Sequence, residues 1–374
     1  MTISEHDKNV YGPSHEGPFP KKIAFLGCPL DCDEREPAIA EKNTLAATAV
    51  CKNPYDTLMA LLRPQLTPGS FREIGSMEVP EWLRPVPTNH PANPLSVEAF
   101  VKFIDAGGCR HWAEKVGKAV AGILPDIPCF IGIDHSLSAG VIKEISRVYS
   151  PRDITLLVLD SHTDAISTNV MEGLIAYDIE TNPHSIHDPE DPFLKCRPES
   201  FNASTFLLFL IREGIIMPEN LFIVGPSDLP PKKALRIKDS RVQRYVESFA
   251  ALRKRGVKLL TKADIIAAPS KIKSHIASIN TPYLYVSVDM DIGARNALEG
   301  VRFTDRAGLN ESQILAITRE IGKTLKGKVA LAAMDLCEFN PRTELLASAH
   351  SQDRTLPIAA EIIKILSEAA LSSP

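Results

Sequence analysis

Leu156-Leu-Val-Leu-Asp-Ser-His-Thr-Asp164 decides the fold of this chain. An unbroken apolar run stops abruptly at Asp160, His162 and Asp164, as a buried parallel strand does when its carboxyl end delivers polar side chains into a crevice. Three metal-capable groups at alternate positions need compensation there, because an unpaired buried carboxylate costs several kcal/mol or more, and a bound cation supplies it most simply. Two further stretches repeat the pattern. Pro128-Cys-Phe-Ile-Gly-Ile-Asp-His135 ends in Asp134 and His135, and Tyr283-Leu-Tyr-Val-Ser-Val-Asp-Met-Asp291 ends in Asp289 and Asp291.

Together the three runs offer His135, Asp160, His162, Asp164, Asp289 and Asp291. One zinc ion takes about four ligands. Six groups, with carboxylates able to bridge, suit a pair of divalent ions roughly 3.5–4 Å apart. Mostly oxygen donors, few imidazoles and no thiolate favour manganese, with nickel and iron as alternatives. Singly, each Asp reads equally as a helix cap and each His as a satisfied cleft residue. It is their convergence that points to metal.

Gly132-Ile-Asp-His-Ser136, Asp160-Ser-His-Thr-Asp164 and Ser287-Val-Asp-Met-Asp291 resemble the three signatures of the ureohydrolase family, which includes arginase, agmatinase and formimidoylglutamase. Met334-Asp-Leu-Cys-Glu-Phe-Asn-Pro341 resembles its late strand with a substrate-contacting glutamate, which would be Glu338. Lys22-Ile-Ala-Phe-Leu-Gly-Cys-Pro-Leu-Asp31 resembles the first strand and its Gly-x-Pro turn, and Asp353 and Thr355 the C-terminal close. The likeness runs from about Lys22 to about Leu366. It implies a three-layer α-β-α fold with a mainly parallel sheet. His135, Asp160, Asp164 and Asp289 would surround one ion and His162, Asp160, Asp289 and Asp291 the other, with Asp160 and Asp289 bridging. Asp164 would orient the activated water, and the product would be urea or its equivalent. A homotrimer or hexamer is also implied.

Three departures from the family pattern stand out. Asn202, in Phe201-Asn-Ala-Ser-Thr-Phe206, falls where the family places a proton-shuttling histidine. Asparagine is no general acid, so the loss would be ~10²–10⁴-fold unless another group serves; His184 and His187 are the candidates. Asp289-Met-Asp-Ile-Gly-Ala-Arg295 lacks the family's last Asp-Pro, and Asn296-Ala-Leu-Glu-Gly-Val-Arg-Phe303 replaces a glycine-rich stretch. Arg295 and Arg302 near the mouth would favour an anionic or neutral tail, such as that of a guanidino acid; for Arg295 a surface salt bridge is an equal alternative.

The rest of the chain bounds the answer. A net charge of −4 gives no footing for nucleic acid or an anionic membrane. No apolar run approaches the ~20 residues of a spanning helix, the N-terminus lacks a signal-like pattern, and seven scattered cysteines fit reduced thiols in a cytoplasmic protein. Cys28 and Cys32, around the first turn, read as inert buried thiols before they read as a regulatory disulfide or a metal pair. Residues 1–20 read as a polar arm and 21–374 as one domain, with a proline-dense insertion around 63–95 wrapping the surface or rimming the cleft. Ser167 to Pro198 reads as a long polar rim loop, Ala203 to Gly214 as a helix, and the alternation of strands and helices as a parallel sheet covered on both faces. Three classes stay open: a hydrolase of guanidino or amidino C–N bonds, a hydrolase of another amide on the same fold, and a non-catalytic metal-binding relative.

Overall fold

A computed structural model describes residues 21–45, 53–87, 95–190, 194, 197–294, 297–304, 308–327, 329–340 and 353–372. The expected arm, residues 1–20, lies outside them, as do Arg295 and Cys196.

Eight strands form one sheet: β1 (Ile23–Cys28), β2 (Phe71–Ser76), β3 (Ile127–Gly132), β4 (Ile154–Leu159), β5 (Leu221–Val224), β6 (Lys258–Leu260), β7 (Tyr283–Asp289) and β8 (Ala330–Cys337). Their order is β2-β1-β3-β8-β7-β4-β5-β6, and every pairing is parallel. The fold is α/β with the three-layer organisation that the sequence implies. Alternate residues of each strand serve opposite faces. Leu157, Leu159, Val286, Val288 and Leu336 pack against helices Pro54–Leu62, Glu311–Leu325 and Thr355–Leu371. Leu156, Val158, Tyr285, Ala333 and Phe130 meet helices Gly108–Ala121, Ser138–Tyr149 and Phe206–Arg212 on the other side.

Two stretches depart from the sequence reading. The proline-dense region is not only a surface wrap, because β2 lies inside it and pairs with β1 from Phe71 to Ser76. Phe71-Arg-Glu-Ile-Gly-Ser is mostly exposed at the sheet edge, so no apolar alternation announces it. The stretch from Ser167 is likewise not all loop, since Thr168–Thr181 is helical. Its apolar and polar residues are spread around the whole circumference and only Thr168 is fully buried. Val170, Met171 and Leu174 pack partly against the core, and Arg241 forks onto both oxygens of Glu180 at 2.8 and 2.7 Å.

The helix that begins just after His135 is held unusually close to its neighbour. A Cβ on Gly140 would lie 1.8 Å from the carbonyl oxygen of Ala113, and Gly117 faces the Gly140 carbonyl. We expect Gly140→Ala to cost about 1–3 kcal/mol, the range for overpacked sites. A shifted midpoint at constant slope in urea unfolding would show it; an unshifted midpoint would mean that the two helices separate freely.

Candidate metal centre

The strand order brings β3, β8, β7 and β4 side by side at the middle of the sheet. Their carboxyl ends therefore share one crevice, the usual ligand position in an open α/β sheet. After β3, Asp134 caps the turn His135–Leu137 by accepting from the Ser136 backbone N–H, which turns the His135 ring inward. His135 Nδ1 then lies 3.3 Å from Asp160 Oδ2, 3.2 Å from Asp164 Oδ2 and 3.3 Å from Asp289 Oδ2. All four residues are buried. Neither His135 Nδ1 nor Asp160 Oδ2 completes a hydrogen bond. Two orphaned lone-pair atoms, facing each other among further carboxylates, fit a cation between them.

A second group adjoins the first. His162 Nδ1 is 3.0 Å from Asp291 Oδ2 and 3.7 Å from Asp160 Oδ1. Asp160 thus turns Oδ2 to one group and Oδ1 to the other, as a bridging carboxylate would. Asp289, expected to bridge as well, falls only in the first group, while Asp160, His162 and Asp291 make up the second. The residues present suit two cations, one per group.

The supporting contacts were invisible in the strand pattern. His135 Nε2 is 2.9 Å from Ser287 Oγ, which is 2.9 Å from Asp335 Oδ1, while Tyr285 donates to Asp335 Oδ2 at 2.6 Å. With Nε2 carrying the proton into this chain, Nδ1 keeps its lone pair for a ligand. Asp335 offered a sequence signal, an acid inside the apolar run ending at Glu338, and its pairing with Ser287 and Tyr285 became visible only with the sheet register. Asp228 similarly accepts from the Thr163 backbone N–H at 3.1 Å and from its hydroxyl at 2.8 Å, holding the loop between His162 and Asp164.

A cavity of about 210 Å³ adjoins the centre, lined in part by Asp33, Arg35, Asn202, Arg302, Phe303 and Glu338. Glu338 adopts a left-handed backbone, φ 64°, and its N–H donates to the Ile133 carbonyl at 2.9 Å. Asn202 reaches the cavity, but its Oδ1 accepts from Ser204 N–H at 3.0 Å and from the Thr205 hydroxyl. It serves the turn leading into Phe206–Arg212. His184 and His187 are not brought to the site. Both are exposed beyond the far end of the helix Thr168–Thr181, a length of about 20 Å at 1.5 Å per residue. Arg302 is not a free cation at the mouth either. Its side chain is 4 % exposed and ion-paired with Asp31 and, at 3.3 Å, Asp33. Among the described residues lining the cavity, the more exposed guanidinium is that of Arg35, which lies 4.5 Å over the Phe303 ring and forks onto Asp33 at 2.9 and 2.6 Å. Phe303 in turn meets His162 edge-on at 5.4 Å.

Without cations the centre is strained electrostatically. Burial, then the Asp160 charge, pushes Asp164 from 3.8 up to about 8, and burial, then Asp134, takes Glu338 from 4.5 to about 8. Burial and the charges of Asp291 and Asp160 put Asp289 well above the carboxylate range. Burial works the same way on Asp291, but His162 outweighs it and holds that carboxyl at about 2. The raised groups bind more protons folded than unfolded. Their stabilisation is therefore full below the ordinary carboxylate range and is lost as pH rises through about 8.

The pattern described as the Arginase family matches residues 22–366 of the chain. A Staphylococcus aureus protein named arginase is 24% identical over 259 residues, covering 66% of this chain and 73% of its own. Bacillus caldovelox arginase superposes with a TM-score of 0.58 at 16% identity, over 92% of this chain and 98% of that one. A variant of Trypanosoma cruzi formiminoglutamase, solved with manganese, gives 0.57 at 14% identity, over 95% and 94%.

Two outcomes follow. The melting temperature of the metal-stripped protein falls between about pH 5 and about pH 8, and added Mn²⁺ raises it most at the upper end; a flat profile in calorimetry would contradict the linkage. Ser287→Ala weakens manganese binding at the His135 group by ~10–100-fold, read by competition with a chelating dye; unchanged affinity would deny Ser287 its orienting role.

Proposed function

The chain belongs to the arginase family, and from that premise we propose that it is a binuclear metal-dependent hydrolase of a linear C–N bond in a small guanidino or amidino compound. The observation that carries this reading is the pair of donor groups joined through Asp160, with His135 Nδ1 and Asp160 Oδ2 left without hydrogen bonds, beside a cavity lined by a buried-edge carboxylate, Glu338. His135, Asp160, Asp164 and Asp289 would hold one ion and Asp160, His162 and Asp291 the other. Manganese suits the oxygen-rich donor set, and it is the metal of the T. cruzi relative's structure. When bound, two such ions supply Lewis acidity and bring the pKa of a shared water towards neutrality.

The protein's own groups do the rest. Glu338 accepts the forked N–H donors of a planar guanidinium or amidinium and fixes its central carbon over the centre. Asp164 orients the attacking water and takes up its proton. Phe303 lines the cavity and meets the His162 ring edge-on. The tail preference, anionic or neutral, now rests on Arg35 in place of Arg302, because Arg35 is the guanidinium still 42% exposed at the rim. A guanidino acid fits this better than a compound with a cationic tail. A cytoplasmic homo-oligomer is part of the same reading, supported by the free buried thiols for the compartment and checked for assembly by light scattering.

A second reading is favoured by one observation. Asn202 stands at the cavity with its oxygen spent on a turn, and neither His184 nor His187 reaches it, so a protein that binds metal without turnover is the alternative. Urea or ammonia release should be measured across guanidino, formimidoyl and acylamino compounds with Mn²⁺ or Ni²⁺. Turnover of a guanidino acid, reduced roughly 10²–10³-fold in kcat/KM by Glu338→Gln, is expected. An Arg35→Ala protein should raise KM for the acid while leaving kcat nearly intact. Silence across the panel, with two metal equivalents bound, would select the non-catalytic reading instead.

A further inference from the structure

A second set of donors, of different chemistry, lies on the other side of the His135 turn. Cys32 follows β1, Cys109 sits in the first turn of the helix Gly108–Ala121, and Asp134 follows β3. Their two sulfurs and a carboxylate oxygen all fall within 4.8 Å of one another, and all three residues are buried. Cys109 Sγ is 4.0 Å from Asp134 Oδ2. The other oxygen, Oδ1, accepts from the Ser136 backbone N–H at 3.0 Å and from the Ser136 hydroxyl. The carboxylate is therefore locked with Oδ2 towards the thiols, the kind of outer hydrogen bonding that orients a metal ligand.

Neither arginine nor lysine forms an ion pair with Asp134 among the described residues, although it is buried. Its neighbours at Oδ2 are thiols, weak donors that compensate a carboxylate poorly. Tetrahedral coordination with metal–sulfur bonds of about 2.3 Å and a metal–oxygen bond of about 2.0–2.2 Å would space the three ligand atoms roughly 3.5–3.8 Å apart. The observed spacings, 4.0 Å between Cys109 Sγ and Asp134 Oδ2 and at most 4.8 Å within the set, would have to close by up to about 1 Å to match. Cys32 and Asp134 also line the 210 Å³ cavity, which gives an ion a way in and leaves a fourth position for water. These are the attributes a metal site has to show: ligand identity, spacing, outer-shell support and an entry path.

We propose that Cys32, Cys109 and Asp134 form a third metal site, selective for a thiophilic divalent cation of the zinc class. Binding displaces the two thiol protons to solvent, so two thiolates and one carboxylate balance the dication with one negative charge to spare. The site is chemically distinct from the oxygen-rich pair, whose donors include no sulfur. It shares the segment 133–136 with that pair, and Ile133 is the residue whose carbonyl holds the Glu338 N–H. Occupancy would therefore be felt at the substrate-facing glutamate, which gives the cell's zinc level a route to the hydrolytic site.

The test uses the whole protein loaded with Mn²⁺ and titrated with Cd²⁺ under a thiol-free reductant. One equivalent per chain should raise a thiolate-to-cadmium charge-transfer absorption. Cys32→Ser and Cys109→Ser should each lose it at stoichiometric metal, while Cys129→Ser keeps it. Cadmium NMR of the unsubstituted protein provides a measurement that needs no variant: a resonance in the range of mixed sulfur and oxygen coordination is expected. Resonances confined to the oxygen and nitrogen range, or an absorption that persists in folded Cys109→Ser, would overturn the site. Because neither readout needs turnover, an inactive protein that shows the band would count against the proposed hydrolase and leave the third site standing.

Discussion

Everything in this molecule answers to the repulsion among Asp160, Asp164, Asp289 and Asp291, four carboxylates buried within one crevice. Like charges in a medium that screens poorly cannot all ionise without a counter-charge. Two imidazoles are too few, and one of them, His135, spends its Nε2 on Ser287. Protonation relieves the centre at low pH and dications relieve it at neutral pH. The donors suit the second solution, since His135 Nδ1 and Asp160 Oδ2 face each other among carboxylates without a completed hydrogen bond.

Holding that arrangement requires rigidity from below and strain from above. Below, the Ser287–Asp335–Tyr285 chain runs through the central strands and fixes the His135 ring. Above, Asp164 and Glu338 both sit at positive φ, 46° and 64°, where residues with a side chain rarely settle. Such backbone persists only where the surroundings over-determine it. Here the Asp164 carbonyl accepts from Leu207 and the Glu338 amide donates to Ile133, tying both loops to neighbouring elements.

How far the sequence could be read follows the same physics. β3, β4 and β7 announced themselves because a strand buried on both faces must be apolar, so an acid at its end is conspicuous. β2 stayed hidden because an edge strand has no such requirement, and Thr168–Thr181 because its packing is shallow, with Val170, Met171 and Leu174 only partly buried. Arg302 lines the cavity, yet it is ion-paired with Asp31, which lies 271 residues earlier, counting from 31 to 302. Lys42 adds to that pairing, 3.2 Å from the other oxygen of Asp31. Nothing local to Arg302 reports a carboxylate already bracketed by another cation. Asn202 shows the converse: its position was legible, but the local hydrogen bonds that occupy it were not.

The position of β8 has a consequence for how the chain comes to be made. It is the last strand in sequence among the described residues, yet it lies between β3 and β7. Before it arrives, the sheet is two separate leaves, one carrying His135 and the other Asp160 and Asp289. A growing polypeptide therefore cannot join the two halves until β8 is made: His135 waits on one leaf while the other five donors, from Asp160 to Asp291, stand on the other. The final strand acts as a keystone, so the His135 group is completed only when β8 docks, and a chain interrupted shortly before residue 330 would hold all six donors with His135 not yet joined to the rest.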